Sequence, residues 1–358
     1  MKKILFVIPS LSNGGAEKVV SKISSGLVNK GYDVTILNFY ACEDEYSIDE
    51  KVKRINISNG TEEDYKNIGI LKRFRLLRKY IKVIQPNDIF CFLNHVSIYV
   101  FLSLLFTKYR KKITFTERNN FKFANKKEII VKKIFQKFIK RIIVQNSGQQ
   151  KLLSNTEYKK SYIIANPIDD KYLNYHKELN NSPKHIVSIG RFVNQKDYPL
   201  AINAFSKLVK KYPDLIYHIY GKGKDKEKIE NQIKELDLEG KVVLEGFTTD
   251  IDKIYENADI YLMTSKFEGM PNALAESMAA GIPSISTDCE FGPSDLINNE
   301  SMGILVKEHT EEAVIEALTK MIENYNEYAS KSNYVKEIMK EKYSLDNIIQ
   351  EWIKVIEN

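Results

Sequence analysis

The chain has 358 residues, enough for two domains at roughly 100–200 residues each. Apolar residues make up 43 % and charged residues 28 %, a globular balance that excludes a disordered, collagen-like or coiled-coil chain. Its three cysteines, Cys42, Cys91 and Cys289, stand far apart, which excludes a disulfide framework and a paired zinc signature and suits a reducing cytosol. The net charge of +7 hides an asymmetry: residues 51–150 hold 23 Lys and Arg against 6 Asp and Glu. So basic a segment expects an anionic partner: nucleic acid, a phosphorylated substrate or an anionic membrane.

Met1-Lys2-Lys3 precedes five apolar residues and Pro9, too short for a signal-peptide core and better read as a buried first strand. Ala16–Lys30 reads as a helix ending at Gly31, and Asp33–Phe39 as the next strand. The apolar run Ile89–Thr107 approaches the length of a membrane span. Asn94-His95 splits it into a strand, Ile89–Leu93, a loop, and an apolar helix over Ser97–Phe106. Strands follow at Ile113–Thr116 and Ile142–Gln145, and a linker at Asn166-Pro167-Ile168-Asp169 and the polar stretch 171–184.

Beyond residue 185 the alternation is clearer. Strands are expected at Ile186–Ile189, Leu215–Tyr220, Lys241–Leu244, Asp259–Thr264, Pro283–Ser286 and Gly303–Val306. Helical patterns lie between them at Pro199–Lys211, Lys226–Leu236 and Asn272–Ala280. This spacing argues parallel sheets covered on both faces. The fold class is α/β, two doubly wound domains whose ligands bind beyond the carboxyl ends of the strands, so two facing sheets make a cleft. The apolar face of Ser344–Glu357, with Trp352, is read as packing on the second domain, with a return to the first as the alternative.

The chemistry centres on Phe267 to Glu276. Glu268 and Gly269 sit in a loop after a strand, and Pro271 suits the first position of a helix that Gly281 and Pro283 stop. The start of that helix is an anion site, framed by two carboxylates, Glu268 and Glu276. That pattern suits a nucleotide sugar; the plainer reading is acidic residues favouring the helix dipole. Gly190-Arg191 ends a strand on the same edge, with Lys196 following, a fork and a point charge suited to a diphosphate. Alternatively they are solvated loop cations. The glycine-rich turn Ser12-Asn13-Gly14-Gly15-Ala16-Glu17 lacks the dinucleotide spacing, and no P-loop motif is present.

Taken together, Gly14-Gly15-Ala16-Glu17, Thr116-Glu117-Arg118-Asn119, Asn166-Pro167-Ile168-Asp169, Gly190-Arg191 with Gln195-Lys196, Tyr220-Gly221-Lys222-Gly223, Glu268 through Glu276 and Gly292-Pro293-Ser294-Asp295 give the chain its likeness. It resembles the retaining glycosyltransferases of family 4, with the GT-B fold, in the style of bacterial enzymes building capsular, exopolysaccharide or lipid-linked glycans. The resemblance implies an acceptor-binding Rossmann-like domain over 1–170, a nucleotide-sugar domain over 171–340, and a C-terminal helix over 341–358 that can cross back to the first domain. It implies that Arg191 and Lys196 bind the donor diphosphate and that Glu276 binds the ribose. Glu268 with Gly269, Met270, Pro271 and Asn272 would hold the sugar, Gly190 would belong to the same edge, and Phe247 would line the base pocket. Gly14 and Gly15 would leave room for phosphate and acceptor. Where many members have a histidine this chain has Thr116-Glu117-Arg118, so Glu117 or Arg118, or less readily His95, is the acceptor-side candidate.

The expected reaction moves a hexosyl group from a nucleoside-diphosphate sugar, a UDP-sugar on family grounds, to a polyprenyl-diphosphate-linked or glycan acceptor, with no metal or other cofactor required. The alternatives are a catalytically silent GT-B binding module and a GDP-sugar-dependent mannosyltransferase. Nucleic acid is disfavoured because no recognition motif accompanies the charge. Ile70–Gln85 and Lys126–Ile143 read as basic amphipathic helices that either pack on the first sheet or lie on an anionic bilayer. The expectation is a cytoplasmic protein in peripheral contact with the inner face of the membrane.

Overall fold

The computed structural model describes residues 1–12, 14–43, 45–117 and 126–358. The chain divides into two units: Met1–Pro167 with Leu345–Asn358, and Ile168–Ser344.

The first unit holds a seven-stranded sheet in the order β3-β2-β1-β4-β5-β6-β7. Its strands are β1 (Lys3–Ile8), β2 (Asp33–Asn38), β3 (Lys53–Asn56), β4 (Asp88–Phe92), β5 (Ile113–Thr116), β6 (Arg141–Val144) and β7 (Ser161–Ile163). Every pairing is parallel. β1 and β4 are buried along nearly their whole length, as a sheet covered on both faces requires. The apolar run over 89–107 is indeed split, into β4 and a helix Asn94–Ser103; Asn94 and His95 begin that helix rather than forming a loop. The second basic stretch is also two elements. A helix ends at Gln136, and Arg141 is buried in β6.

The second unit holds a six-stranded sheet in the order β10-β9-β8-β11-β12-β13. Its strands are β8 (His185–Ile189), β9 (Ile216–Tyr220), β10 (Val242–Gly246), β11 (Ile260–Met263), β12 (Ser284–Thr287) and β13 (Ile304–Val306), again all paired in parallel. The stretch 171–184 is more than a linker. Asp170–Leu173 is a helical turn with Tyr172 and Leu173 buried, and Lys177 and Asn180 both reach Asp259.

The two sheets share a device at their amino edges. Asp88 at the start of β4 is fully buried and accepts from Arg141 at 2.6 Å and Lys140 at 2.9 Å. Asp259, just before β11, is equally buried and accepts from Asn180 at 2.9 Å and from the backbone N–H groups of Lys184 and His185 at 2.8 and 3.0 Å. A buried carboxylate is tolerated only with such partners.

The C-terminal helix Leu345–Glu357 belongs to the first unit: of the two placements the sequence left open, it takes the return to the first domain and not the packing on the second. Trp352 is fully buried, with its ring 5.0 Å from Phe90 and 5.8 Å from Phe6. Ile349 presses on Gly26, where a Cβ would meet its Cδ1 at 2.5 Å. The helix is also tied at its end, where Tyr32 donates to Glu357 at 2.7 Å.

Candidate active site

In each sheet the strand order reverses at one point, between β1 and β4 in the first and between β8 and β11 in the second. Loops leaving the carboxyl ends of such a pair diverge to opposite faces and open a crevice for ligand. In the second unit those loops are Gly190–Asp197 and Thr264–Pro271.

The two loops are laced together. Lys196 Nζ lies 2.7 Å from Glu268 Oε1, both side chains largely buried. Gln195 Nε2 donates to the Phe267 carbonyl at 2.8 Å, and the Lys266 N–H donates to the Gln195 carbonyl at 2.9 Å. Thr264 Oγ1 donates to the carbonyls of Lys196 and Asp197. Asp197, in the left-handed region at φ 48°, draws in Lys266 at 3.4 Å and His309 at 2.9 Å, so the loop after β13 joins the same knot. Beneath it, burial pushes the Cys289 thiol up to about 12, with the Glu268 charge adding and Lys196 opposing. Burial, then Tyr217 and Glu268, holds the Tyr198 hydroxyl well above its ordinary value, so it stays protonated.

Arg191 follows Gly190 at the end of β8; its side chain is exposed and pairs with no acidic group among the described residues. Its backbone is clamped by glycines. A Cβ on Gly221 would lie 1.9 Å from the Gly190 carbonyl oxygen, and one on Gly223 2.4 Å from that of Phe192. Only glycine lets these loops run so close. Gly190 itself faces Lys196 Cε and the Tyr198 hydroxyl, 2.9 and 3.0 Å from where its Cβ would be.

The helix after Glu268 runs Asn272–Ala279, so Pro271 caps it instead of occupying its first position. Gly281, at φ 82°, stops it with a Gly281 N–H to Met278 bond and an Ile282 N–H to Ser277 bond. Gly292, at φ 97°, packs its α-carbon against Pro271 and the Gly269 carbonyl, fixing the 269–272 loop from below. Met270 is partly buried in the core beside it. Glu276 stands one turn into the helix beside Tyr172, whose hydroxyl is raised by burial first and by the Glu276 charge second. Phe247 is exposed beyond the edge strand β10, two strands from β8, with Lys222 Nζ 4.6 Å above its ring.

In the first unit Gly14 caps the helix Gly15–Asn29 at the end of β1, and a Cβ there would first meet the movable Glu17 carboxylate. Burial raises the Glu17 carboxyl. Arg54 pairs with Glu45, whose residue bridges to Ser12, so the strand β3 braces the glycine turn. Glu117 is buried at the end of β5, its N–H donating to Ile143 at 2.7 Å. Arg118 lies outside the described residues. At the reversal point Leu93 has φ 77° and ψ 146°, a conformation that costs a non-glycine residue about 1–3 kcal/mol and delivers Asn94 and His95 to the carboxyl edge.

Sequence reasoning passed over Asp197, His309, Tyr172 and Leu93. Tyr172 and Leu173 alone carried a signal, as apolar residues inside an otherwise polar stretch.

Two Rossmann-like units with these strand orders are the domain pair of a GT-B protein, and solved structures agree. Staphylococcus aureus TarM superposes with a TM-score of 0.81 at 18 % identity, over 100 % of this chain and 99 % of that one. Anabaena Alr3699/HepE in complex with UDP does so at 0.81 and 15 %, over all of both chains. Residues 174–338, nearly the whole second unit, match the family model described as "Glycosyl transferases group 1". The chain is a glycosyltransferase. It is 27 % identical to an uncharacterized glycosyltransferase of Haemophilus influenzae, over 98 % of this chain and 99 % of the relative. It is 25 % identical to a Campylobacter jejuni enzyme named as an α-1,4-N-acetyl-D-galactosaminyltransferase acting on a GalNAc-containing, diphospho-undecaprenol-linked glycan, over 99 % and 98 % of the two chains.

Proposed function

We propose that the chain is a retaining family 4 enzyme that moves a hexosyl group from a nucleoside-diphosphate sugar, with a uridine donor favoured, to a lipid-linked or growing glycan in bacterial surface-polysaccharide synthesis. The observation that carries the reading is the Lys196–Glu268 pair at the reversal point of the second sheet, beside the exposed Arg191 and the start of the Asn272 helix. Two cations and a helix N-terminus on one edge match a diphosphate, which gains charge as the sugar leaves. Stabilising that charge is the largest service a protein can give such a reaction. Glu268 both orients Lys196 and offers an acceptor to sugar hydroxyls, and Glu276 offers one to ribose. Acceptor-side groups are assigned to the first unit, among Gly14, Gly15 and Glu117. The acceptors in the relatives' names, lipid-linked or polymeric, support this choice of acceptor class.

The test is transfer of labelled sugar from UDP- and GDP-sugars to diphospho-undecaprenol-linked oligosaccharides, with the product anomer read by NMR. An α-linked product from an α-linked UDP donor is expected. An inverted anomer would overturn retention, and transfer only from a GDP donor would overturn the choice of base.

A further inference from the structure

Asp197 breaks two habits of its position. It stands just before the helix Tyr198–Lys211, where an aspartate ordinarily takes an extended backbone and caps the free N–H groups with its carboxylate. Here φ is 48° and ψ 47°, in the left-handed region, and the side chain makes no cap hydrogen bond. That conformation costs any residue with a Cβ, although aspartate bears it better than most. The carboxylate, only 13 % exposed, goes instead to basic side chains from two other loops. Lys266 Nζ lies 3.4 Å from Oδ1 and His309 Nε2 2.9 Å from Oδ2, so each oxygen has its own partner.

These contacts sit one residue from the pair at the site. Lys196 reaches across to Glu268, while Asp197, next in the chain, is reached by Lys266, two residues before Glu268. The loops after β8 and β11 are therefore joined by two ion pairs of opposite polarity. Lys266 also donates to Asn194 Oδ1 at 2.9 Å, and Thr264 Oγ1 to the carbonyls of Lys196 and Asp197 at 3.2 and 3.1 Å. His309 brings in a third loop, the one between β13 and the helix Glu311–Glu323.

We propose that the Asp197 carboxylate, held by Lys266 and His309, is the positioning group that aims Lys196 at the donor diphosphate. The proposal rests on the reading of this edge as the donor site. A lysine is a point charge on a flexible stem, so its aim depends on where its backbone is fixed. Asp197 fixes that backbone from the neighbouring residue. A diphosphate competes with Glu268 for Lys196 and so loosens the first ion pair. The second pair then keeps the two loops in register, which explains why the strained backbone at Asp197 is tolerated.

The experiment is calorimetric titration of the full chain with UDP and GDP, each beside its monophosphate. The preference for diphosphate over monophosphate reads the cations that meet the second phosphate. Asp197→Asn removes the charge and keeps a residue that adopts the left-handed region readily. It should narrow the preference about tenfold, the worth of one hydrogen bond to a charged group. His309→Ala should narrow it in the same direction, and His309→Gln, which keeps an N–H donor, should restore most of it. In a Lys196→Ala chain, adding Asp197→Asn should narrow it no further, because the carboxylate acts through that lysine. Lys207→Ala severs the Lys207–Glu311 pair at 2.5 Å, between the same two helices, and should leave the preference unchanged. A parental preference in Asp197→Asn would overturn the proposal, leaving the backbone as that residue's whole role. Equal weakening of diphosphate and monophosphate would overturn it too, marking loops that have merely loosened. In both cases a parent chain that prefers diphosphate keeps the donor reading standing, whereas a parent chain that binds neither UDP nor GDP overturns the two together.

Discussion

Lys196 Nζ and Glu268 Oε1 lie 2.7 Å apart, one on the loop after β8 and the other on the loop after β11. The pair closes the point where the second sheet reverses its strand order, and it is too buried to be a surface ion pair of negligible worth. Arg191, on the same edge, is exposed and owes nothing to the fold.

That contrast separates two variants. Arg191→Ala should lower the transfer rate about 100–1,000-fold and leave the urea midpoint within error of the parent. Lys196→Ala should lose activity comparably and also destabilise the second unit by about 3–5 kcal/mol, because Glu268 is left buried without its partner. Equal stability losses in the two variants would contradict this division.

Gly221→Ala tests the clamp under Arg191. The new Cβ would stand 1.9 Å from the Gly190 carbonyl oxygen, so the backbone of one loop must move. We expect a stability cost of about 1–3 kcal/mol and a raised donor KM, measured by urea unfolding and initial rates. Gly240→Ala would meet no neighbour within 4 Å, but its φ of 77° strains any side chain; it should cost stability only, with the donor KM unchanged.

On the proposed reading, Arg191 and Lys196 would supply the positive charge that a divalent metal would otherwise bring to a diphosphate. Transfer is therefore expected to persist in EDTA, assayed by release of nucleoside diphosphate. Complete loss restored by magnesium or manganese would sink that expectation.

Trp352→Ala should cost about 3–5 kcal/mol, since the ring is fully buried against Phe6, Phe90 and Phe92. The loss should appear in the first unit, read by hydrogen exchange at β1 and β4, with β8 and β11 protected as before. Exposure of β8 instead would place the helix's contribution in the wrong unit.

The pattern of apolar runs made most strands legible. β1, β4, β8 and β11 are largely apolar runs because both faces of each are covered. β3 was missed because Lys53-Arg54-Ile55-Asn56 lies at an edge and buries little, and β7, with Ser161 and Ile163 at the opposite edge, for the same reason. The amphipathic face of Leu345–Glu357 announced that the helix packs, but periodicity carries no address, and its partner was found only in the fold. At the site, Lys196 and Glu268 were legible separately, whereas their pairing was not. That pairing depends on β8 and β11 being neighbours, a contact spanning some seventy residues. The left-handed Asp197 and the strained Leu93 have no sequence signature, because each is imposed by the surrounding loops.

The central claim is a nucleotide-sugar site on the second unit. Its most direct test is a thermal-shift panel of UDP, GDP, ADP, CDP and their sugars against the full chain, with Arg191→Ala and Glu276→Ala alongside. A ligand at 100 times its dissociation constant adds about 2.7 kcal/mol, a readily visible rise in melting temperature. The account predicts a rise with uridine nucleotides that both variants abolish or sharply reduce. No rise with any nucleotide at millimolar concentration, or an equal rise in both variants, would contradict it.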